Sequence, residues 1–283
     1  MNSYLESPSH SVTLDLSWAR AVGYSHVGKV RSTNEDRFLL NAWPEQEGIL
    51  AVVADGMGGN SAGDIAAQLA IDTFAELLTN PLPLEPLQQY DALLEKCYLA
   101  DERIRLEGVS SFKTLGMGTT IVAAILTPTT CVHVFAGDSR LYHFRQGQQQ
   151  YQTTDHSIVQ MLLEAGRIQP EDIPTHPMRS IVNSCLGGKA GDGNFSVDPK
   201  WNEANPPIMT LKAEDLTLLC SDGLSSYIPE AQLQRLIAEY YHSPSTLNKL
   251  LLQDVLEQSK ASDNITLITL AIRQIQNSFH IQL

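Results

Sequence analysis

The feature that most constrains this chain is its grouping of short β-rich runs with paired helical patterns. The β-rich runs fall at residues 37–41, 49–54, 119–126, 131–136, 140–144, 216–220 and 265–272. Helical periodicity fits 62–78 and 87–107, on either side of a proline-rich break at 80–86, and then 232–241 and 246–259. Strands alternating singly with helices would predict a parallel sheet, whereas clustered strands with inserted helix pairs predict a layered sandwich. The 283 residues contain no internal repeat, no low-complexity tract and no linker long enough to separate domains. The Gly-, Asn- and Pro-rich stretch 187–207 reads as an irregular surface excursion, either a substrate lid or a long loop.

Composition enters through what it excludes. Charged residues are 18% of the chain and apolar residues 43%, which predicts a buried core and argues against disorder. Lys and Arg number 19 against 32 Asp and Glu, a formal net charge of −13 that suits neither a nucleic-acid backbone nor an anionic membrane. The N-terminal residues carry no basic start, apolar stretch or small-residue cleavage site of a secretory signal. The apolar run at 121–126 is far too short to span a bilayer. Cys97, Cys131, Cys185 and Cys220 form no metal-ligand spacing and read as free thiols of a reducing compartment, so a cytoplasmic protein is expected.

Four aspartates fall where strands meet loops. Asp36 precedes the run 37–41, Asp55 follows Ile-Leu-Ala-Val-Val-Ala, Asp222 follows Leu-Thr-Leu-Leu-Cys and one serine, and Asp263 precedes Asn264 and the run 265–272. A strand end fixes a side chain without fully desolvating it. Asp55 and Asp222 are each followed by glycine, whose backbone can approach an ion closely enough to lend its carbonyl. Carboxylates brought together repel and raise one another's pKa, a conflict that divalent cations remove. Without Cys or His nearby, the donors favour Mg²⁺ or Mn²⁺ over zinc. Asp-Gly pairs also form ordinary turns, so placement alone leaves a metal site and a set of turns both open.

The order of the surrounding motifs goes further. They are Gly28-Lys-Val-Arg-Ser-Thr-Asn-Glu-Asp36, Val53-Ala-Asp-Gly-Met-Gly-Gly59, Gly116-Met-Gly-Thr-Thr120, Gly137-Asp-Ser-Arg140, Thr154-Asp-His156, Glu164-Ala-Gly-Arg-Ile168, His176-Pro177, Ser221-Asp-Gly-Leu224 and Asp263-Asn264. In these segments, spread over about 21–272, the chain resembles the metal-dependent serine/threonine protein phosphatases, the PPM or type 2C family, in their bacterial stand-alone form. The resemblance implies an α+β fold, a four-layer α-β-β-α sandwich of two antiparallel sheets flanked by helix pairs. It places the catalytic domain at 20–273, with an N-terminal extension at 1–19 and a tail at 274–283. It implies two Mn²⁺ or Mg²⁺ ions per chain. Asp55 would bridge them, Gly56 would ligate through its carbonyl, Asp222 and Asp263 would complete one ion, and Glu35 and Asp36 would act mainly through bound water. Arg31 matches the phosphate-binding arginine, whose guanidinium forks onto two phosphate oxygens.

The implied reaction is hydrolysis of phosphoserine and phosphothreonine in proteins by a water activated between the two cations, with Arg31, Asp36 and Asp55 carrying catalysis. The implied route needs no phosphoenzyme. The expected partners are phosphorylated proteins and a cognate Ser/Thr kinase whose work the enzyme opposes. A monomer is expected, with no nucleic-acid or membrane partner. Three features depart from the family. Met57 and Asn60 stand where relatives carry a histidine, which leaves protonation of the leaving group to a metal-bound water. The segment 113–117 offers no carboxylate for the third, weaker cation of some relatives. His156 and His176 read as loop anchors, and Asp138 as a turn residue supporting the metal shell from behind. Two rivals are a phosphoprotein-binding module without catalysis and a nucleotide phosphodiesterase. The intact aspartate set counts against the first, and the charge and motif order against the second.

Overall fold

The run 49–54 is apolar at every position because its strand is buried on both faces. Leu50, Val52 and Ala54 enter one hydrophobic core, while Ile49, Ala51 and Val53 enter another. The computed structural model describes residues 10–58, 62–188, 195–204, 206–258 and 262–274. In chain order these form β1 (His10–Asp15), β2 (Ala19–His26), β3 (Asp36–Trp43), β4 (Gly48–Met57), α1 (Gly63–Ala75), α2 (Pro86–Ser110), β5 (Gly118–Thr119), β6 (Ile121–Leu126) and β7 (Thr130–Ala136). There follow β8 (Arg140–Arg145), β9 (Gln148–Gln152), α3 (Ile158–Glu164), β10 (Leu186–Gly187), β11 (Ile208–Thr210), β12 (Asp215–Cys220), α4 (Asp222–Ser225), α5 (Glu230–Tyr240), α6 (Pro244–Glu257) and β13 (Ile265–Ile272).

The strands make a six-stranded sheet in the order β1-β2-β13-β12-β8-β9 and a seven-stranded sheet in the order β10-β5-β4-β6-β7-β11, with β3 on β4. Every ladder is antiparallel. One core lies between the sheets, where Ile49, Val53 and Val122 meet Leu141, Leu219 and Ile268. A second joins the seven-stranded sheet to α1 and α2 through Phe74, Leu93 and Ile104. The third joins the six-stranded sheet to α5 and α6 through Leu233, Ile237, Leu247 and Leu251. The expected α+β fold of four layers, α-β-β-α, is the observed one.

Several boundaries differ from the sequence reading for identifiable reasons. The expected run 119–126 is two strands, because β5 pairs with Gly56 and Met57 and β6 pairs with residues 49–53 of β4. Strands β1, β2 and β9 went unexpected. Only Val12 and Leu14 of the edge strand β1 pack on the core, and β9 is nearly all glutamine, held by its ladder to β8. Residues 10–15, assigned from sequence to an extension, pair along the whole length of β1 with β2. Helix α2 runs on to Ser110, and the run 62–78 ends as a 3₁₀ turn at Glu76–Thr79. Within 187–207, the described residues Phe195, Val197 and Trp201 pack on the α1–α2 core, and the Trp201 ring lies 5.3 Å from Tyr90. The described part of that stretch is packed loop; residues 189–194 and 205 lie outside the described residues, as do 1–9 and 275–283 of the expected extension and tail.

The antiparallel register brings the end of β2, the start of β3, the end of β4, the start of β6, the end of β12 and the start of β13 to one end of the sandwich. That end carries the site.

Candidate active site

Asp36 and Asp55 face each other across the first rung of the β3–β4 ladder. Asp36 is 2% exposed, and the Ser221 hydroxyl donates to its Oδ2 at 2.7 Å. Ser221 Oγ in turn accepts from the backbone N–H of Thr266 at 3.0 Å. Thr266 Oγ1 pairs with Ser25 Oγ at 2.8 Å, and Asn34 Nδ2 donates to that same Ser25 oxygen at 2.8 Å. Hydroxyls of β2 and β13, and of Ser221 beside β12, thus tie Asp36 and the segment before it to the six-stranded sheet. A buried carboxylate keeps its position only when such partners satisfy it.

The two Asp-Gly pairs are not turns. Asp55-Gly56 lies inside β4 and Asp222-Gly223 opens α4. Their glycines are required by close backbone approach. A Cβ on Gly56 would stand 2.1 Å from the Gly63 carbonyl oxygen, and one on Gly223 would stand 1.7 Å from that of Asn264. Without side chains there, the N-terminus of α1 abuts β4, and α4 abuts the loop that carries Asp263.

Asn264 is a residue whose role the sequence reading missed, although its motif was noticed. It is 4% exposed. Its Nδ2 donates to the carbonyls of Val27 at 2.9 Å and Thr33 at 3.0 Å, and its Oδ1 accepts from the Glu35 N–H at 2.8 Å. One side chain therefore closes the loop that presents Arg31, Glu35 and Asp36.

Arg31, Glu35, Asp55, Gly56, Asp222 and Asp263 all line one open cavity of about 420 Å³; Asp36 lies behind it, bonded to Ser221. The Arg31 guanidinium sits on Asp263, Nη2 to Oδ1 at 3.0 Å and to Oδ2 at 3.2 Å. Arg179, Ser180, Tyr227 and Ser262 also reach this cavity and were not singled out from sequence. The His176-Pro177 motif stops two residues short of Arg179. Nothing in the sequence pattern marks Tyr227.

Burial and mutual repulsion dominate the electrostatics. Burial first, then Asp36 and Asp222, push the Asp55 carboxyl well above the ordinary range. Asp36 rises to about 6, mainly through burial and against the opposing hydrogen bonds from Ser221 and Thr266. Asp222 rises to about 6 through burial and the charges of Asp263 and Asp36. Asp138, beside Asp222, rises to about 7 for the same two kinds of reason. Glu35 is raised by burial, with Arg31 opposing, and its Oε1 is buried without a hydrogen-bond partner. Among the described residues no three acidic, His or Cys side chains are already gathered as a closed coordination shell. The donor set is nevertheless all oxygen, under-compensated in charge and holding an unpartnered carboxylate oxygen. These properties fit hard divalent cations.

The remaining candidates have structural explanations. His156 Nδ1 accepts from the Gly137 N–H at 3.3 Å, and its Nε2 pairs with Asp198 at 3.1 Å. His176 Nδ1 accepts from the Met178 N–H. Both are loop anchors. Met57 lines the cavity with a thioether that has no proton to give, and Asn60 lies outside the described residues. Thr114, in the segment lacking a carboxylate, bonds the carbonyls of Glu107 and Ser111.

Comparisons with known proteins show the family. A family described as Protein phosphatase 2C matches residues 22–258. The chain is 33% identical over 211 residues to the serine/threonine phosphatase stp of Listeria innocua, covering 74% of this chain and 79% of that one. A crystal structure of the Mycobacterium tuberculosis serine/threonine phosphatase PstP/Ppp superposes with a TM-score of 0.73 at 30% identity, over 91% of this chain and 100% of that one. A structure of the PstP catalytic domain in complex with two manganese ions superposes with a TM-score of 0.69 at 28% identity, over 91% of this chain and 99% of that one.

Proposed function

We propose, for a chain that belongs to the protein phosphatase 2C family, a division of labour in which Arg31 anchors the phosphate and six residues serve the two cations. The chain is a metal-dependent protein-serine/threonine phosphatase, and its cofactor is a pair of Mn²⁺ or Mg²⁺ ions. The cation-holding residues in this reading are Asp55, the Gly56 carbonyl, Asp222 and Asp263, with Glu35 and Asp36 behind bound water. The observation that carries the assignment is the joining, around one cavity, of carboxylates that raise one another's pKa with an arginine on the facing loop.

When bound, the cations supply Lewis-acid charge that makes a water nucleophilic and offsets the charge on the transferring phosphoryl group. The chain's own groups do the positioning. Arg31 is half exposed at the cavity wall, so its fork is free to turn from Asp263 onto two phosphate oxygens. Asp36 is held rigid by Ser221, which fixes the floor beneath Asp55. The Gly56–Gly63 contact keeps any side chain out of the space beside the Gly56 carbonyl.

Phosphoproteins are the substrates. We further assign a cognate Ser/Thr kinase as the opposing enzyme, a monomeric state, a cytoplasmic location and a catalytic domain at 20–273, with β1 as an added edge strand. No helix among the described residues is long and apolar enough to cross a membrane. The test is turnover of p-nitrophenyl phosphate and a phosphothreonine peptide with and without Mn²⁺. Absence of turnover at saturating Mn²⁺ overturns the assignment. A folded but inactive Asp222→Ala variant supports the placement of the site.

A further inference from the structure

Asp222 and Asp263 come from segments some forty residues apart in sequence, yet one cation shared between them needs both carboxylates at a fixed spacing. Beyond the β12–β13 ladder and the Ser221–Thr266 hydrogen bonds, two contacts join those segments. The first is the Gly223 backbone on the Asn264 carbonyl. The second is the Tyr227 hydroxyl, which pairs with Ser262 Oγ at 2.9 Å and accepts the Ser262 N–H at 3.3 Å. Ser262 immediately precedes Asp263.

Hydrogen bonds and packing position both ends of the second contact. On one side, the Ser226 N–H donates to the Asp222 carbonyl at 2.8 Å and the Tyr227 N–H to that of Leu224 at 3.2 Å, so a single wound turn connects the Asp222 and Tyr227 side chains. The Tyr227 ring packs on the core beneath α5 and α6, which determines where its hydroxyl emerges. On the other side, Asn264, the residue after Asp263, is held by the loop 27–35. Tyr227 also lies at the junction of the main cavity and a neighbouring one of about 240 Å³, lining both.

We propose that Tyr227 is a positioning residue for the cation site: through Ser262 it sets Asp263 against Asp222 and so tunes the affinity for the divalent ion they share. The inference rests on the reading of Asp263 as a ligand. Groups that orient metal ligands typically contribute about ten- to hundredfold in affinity. A ring that acts on Asp263 through a single hydroxyl should fall at the lower end.

The experiment titrates Mn²⁺ alone into the metal-free full chain by calorimetry, and measures the thermal midpoint with and without Mn²⁺. Tyr227→Phe should weaken Mn²⁺ binding about tenfold and shrink the midpoint rise that Mn²⁺ produces. Ser262→Ala should cost less, because its backbone N–H remains a partner, and the double variant should be no worse than Tyr227→Phe alone. Asp263→Asn serves as the reference. If it weakens Mn²⁺ binding while Tyr227→Phe binds as the parent does, the positioning role is overturned and the ligand reading stands. If Asp263→Asn binds Mn²⁺ normally, the ligand reading itself fails and the positioning role falls with it. A Tyr227→Phe variant with a lower metal-free midpoint but unchanged Mn²⁺ affinity marks a purely structural role and also overturns the proposal.

Discussion

Replacing Asn264 by alanine removes three hydrogen bonds at once, those to the Val27 and Thr33 carbonyls and that from the Glu35 N–H. At about 1 kcal/mol of net stabilisation per bond, the loss is about 3 kcal/mol. Residues 29–32 of the loop are exposed, so water can re-satisfy some of what is freed, which brings the expected cost to about 2 kcal/mol. For a chain of this size that corresponds to a drop of about 5 °C in the thermal midpoint. The functional effect should be larger than the thermal one suggests, because the loosened loop carries Arg31, Glu35 and Asp36. A misplacement of about 1 Å in such groups costs up to about a hundredfold in rate, so kcat/KM on a phosphothreonine peptide at saturating Mn²⁺ should fall at least tenfold. Asn264→Asp keeps the acceptor for Glu35 but loses both donors, and it should be as damaging. Urea denaturation of the metal-free chain and steady-state kinetics together decide the matter. If Asn264→Ala unfolds within about 1 kcal/mol of the parent and keeps kcat/KM within about threefold, this side chain does not hold the loop.

Asp36 and Asp222 titrate near 6 in the folded chain, against an ordinary value of 3.8, and Asp55 and Asp138 shift the same way. Raised carboxyls bind protons more tightly when folded, so metal-free stability should fall as pH rises from about 4 through 6. The thermal midpoint without metal should therefore be higher at pH 5 than at pH 7.5, and Mn²⁺ should restore it at pH 7.5; a metal-free midpoint that is flat or rising over that window would contradict the electrostatic account. Arg31→Ala should lower kcat/KM about a hundredfold on a phosphopeptide and change unfolding free energy by less than about 1 kcal/mol, since its ion pair with Asp263 is half exposed. Ser221→Ala removes the donor to Asp36 Oδ2 and should lower both stability and Mn²⁺ affinity in calorimetric titration, with an unchanged Mn²⁺ affinity counting against a role for that hydroxyl.

The regions of this protein legible in its sequence are those where burial dictates residue type over a whole segment. Strand β4 could be read because both of its faces are covered, so the run 49–54 is apolar throughout. Strand β9 could not, because it is four glutamines and one tyrosine, held by its ladder to β8 and by the packing of Tyr151 alone on the core. The same distinction holds at the site. The four aspartates stood out because they interrupt apolar strands at their ends. Tyr227 and Arg179 were silent because they reach the cavity from loops and a short turn, where no periodicity marks a direction. Asn264 was seen within a motif, yet its role depends on Val27, Thr33 and Glu35, which only the register of β13 on β2 brings within reach.

The fold also explains why the metal-free chain should be poorly balanced. Antiparallel sheets bring strand ends together whatever residues occupy them, and here those ends carry Asp36, Asp55 and Asp222 into partly or fully buried positions. Backbone packing at Gly56 against Gly63, and at Gly223 against Asn264, prevents the segments from moving apart to relieve the repulsion. The repulsion is thus a cost of folding that remains until cations enter, and whatever it subtracts from metal-free stability is returned as cation affinity. Neutralising one of the carboxylates should reverse this exchange: Asp222→Asn should unfold at a higher temperature without metal and bind Mn²⁺ more weakly. Removing a group that holds a carboxylate, such as the Ser221 hydroxyl, loses a hydrogen bond without removing a charge. Metal-free stability and Mn²⁺ affinity should therefore vary in opposite directions among substitutions at the carboxylates themselves, and fall together among substitutions in the residues that hold them.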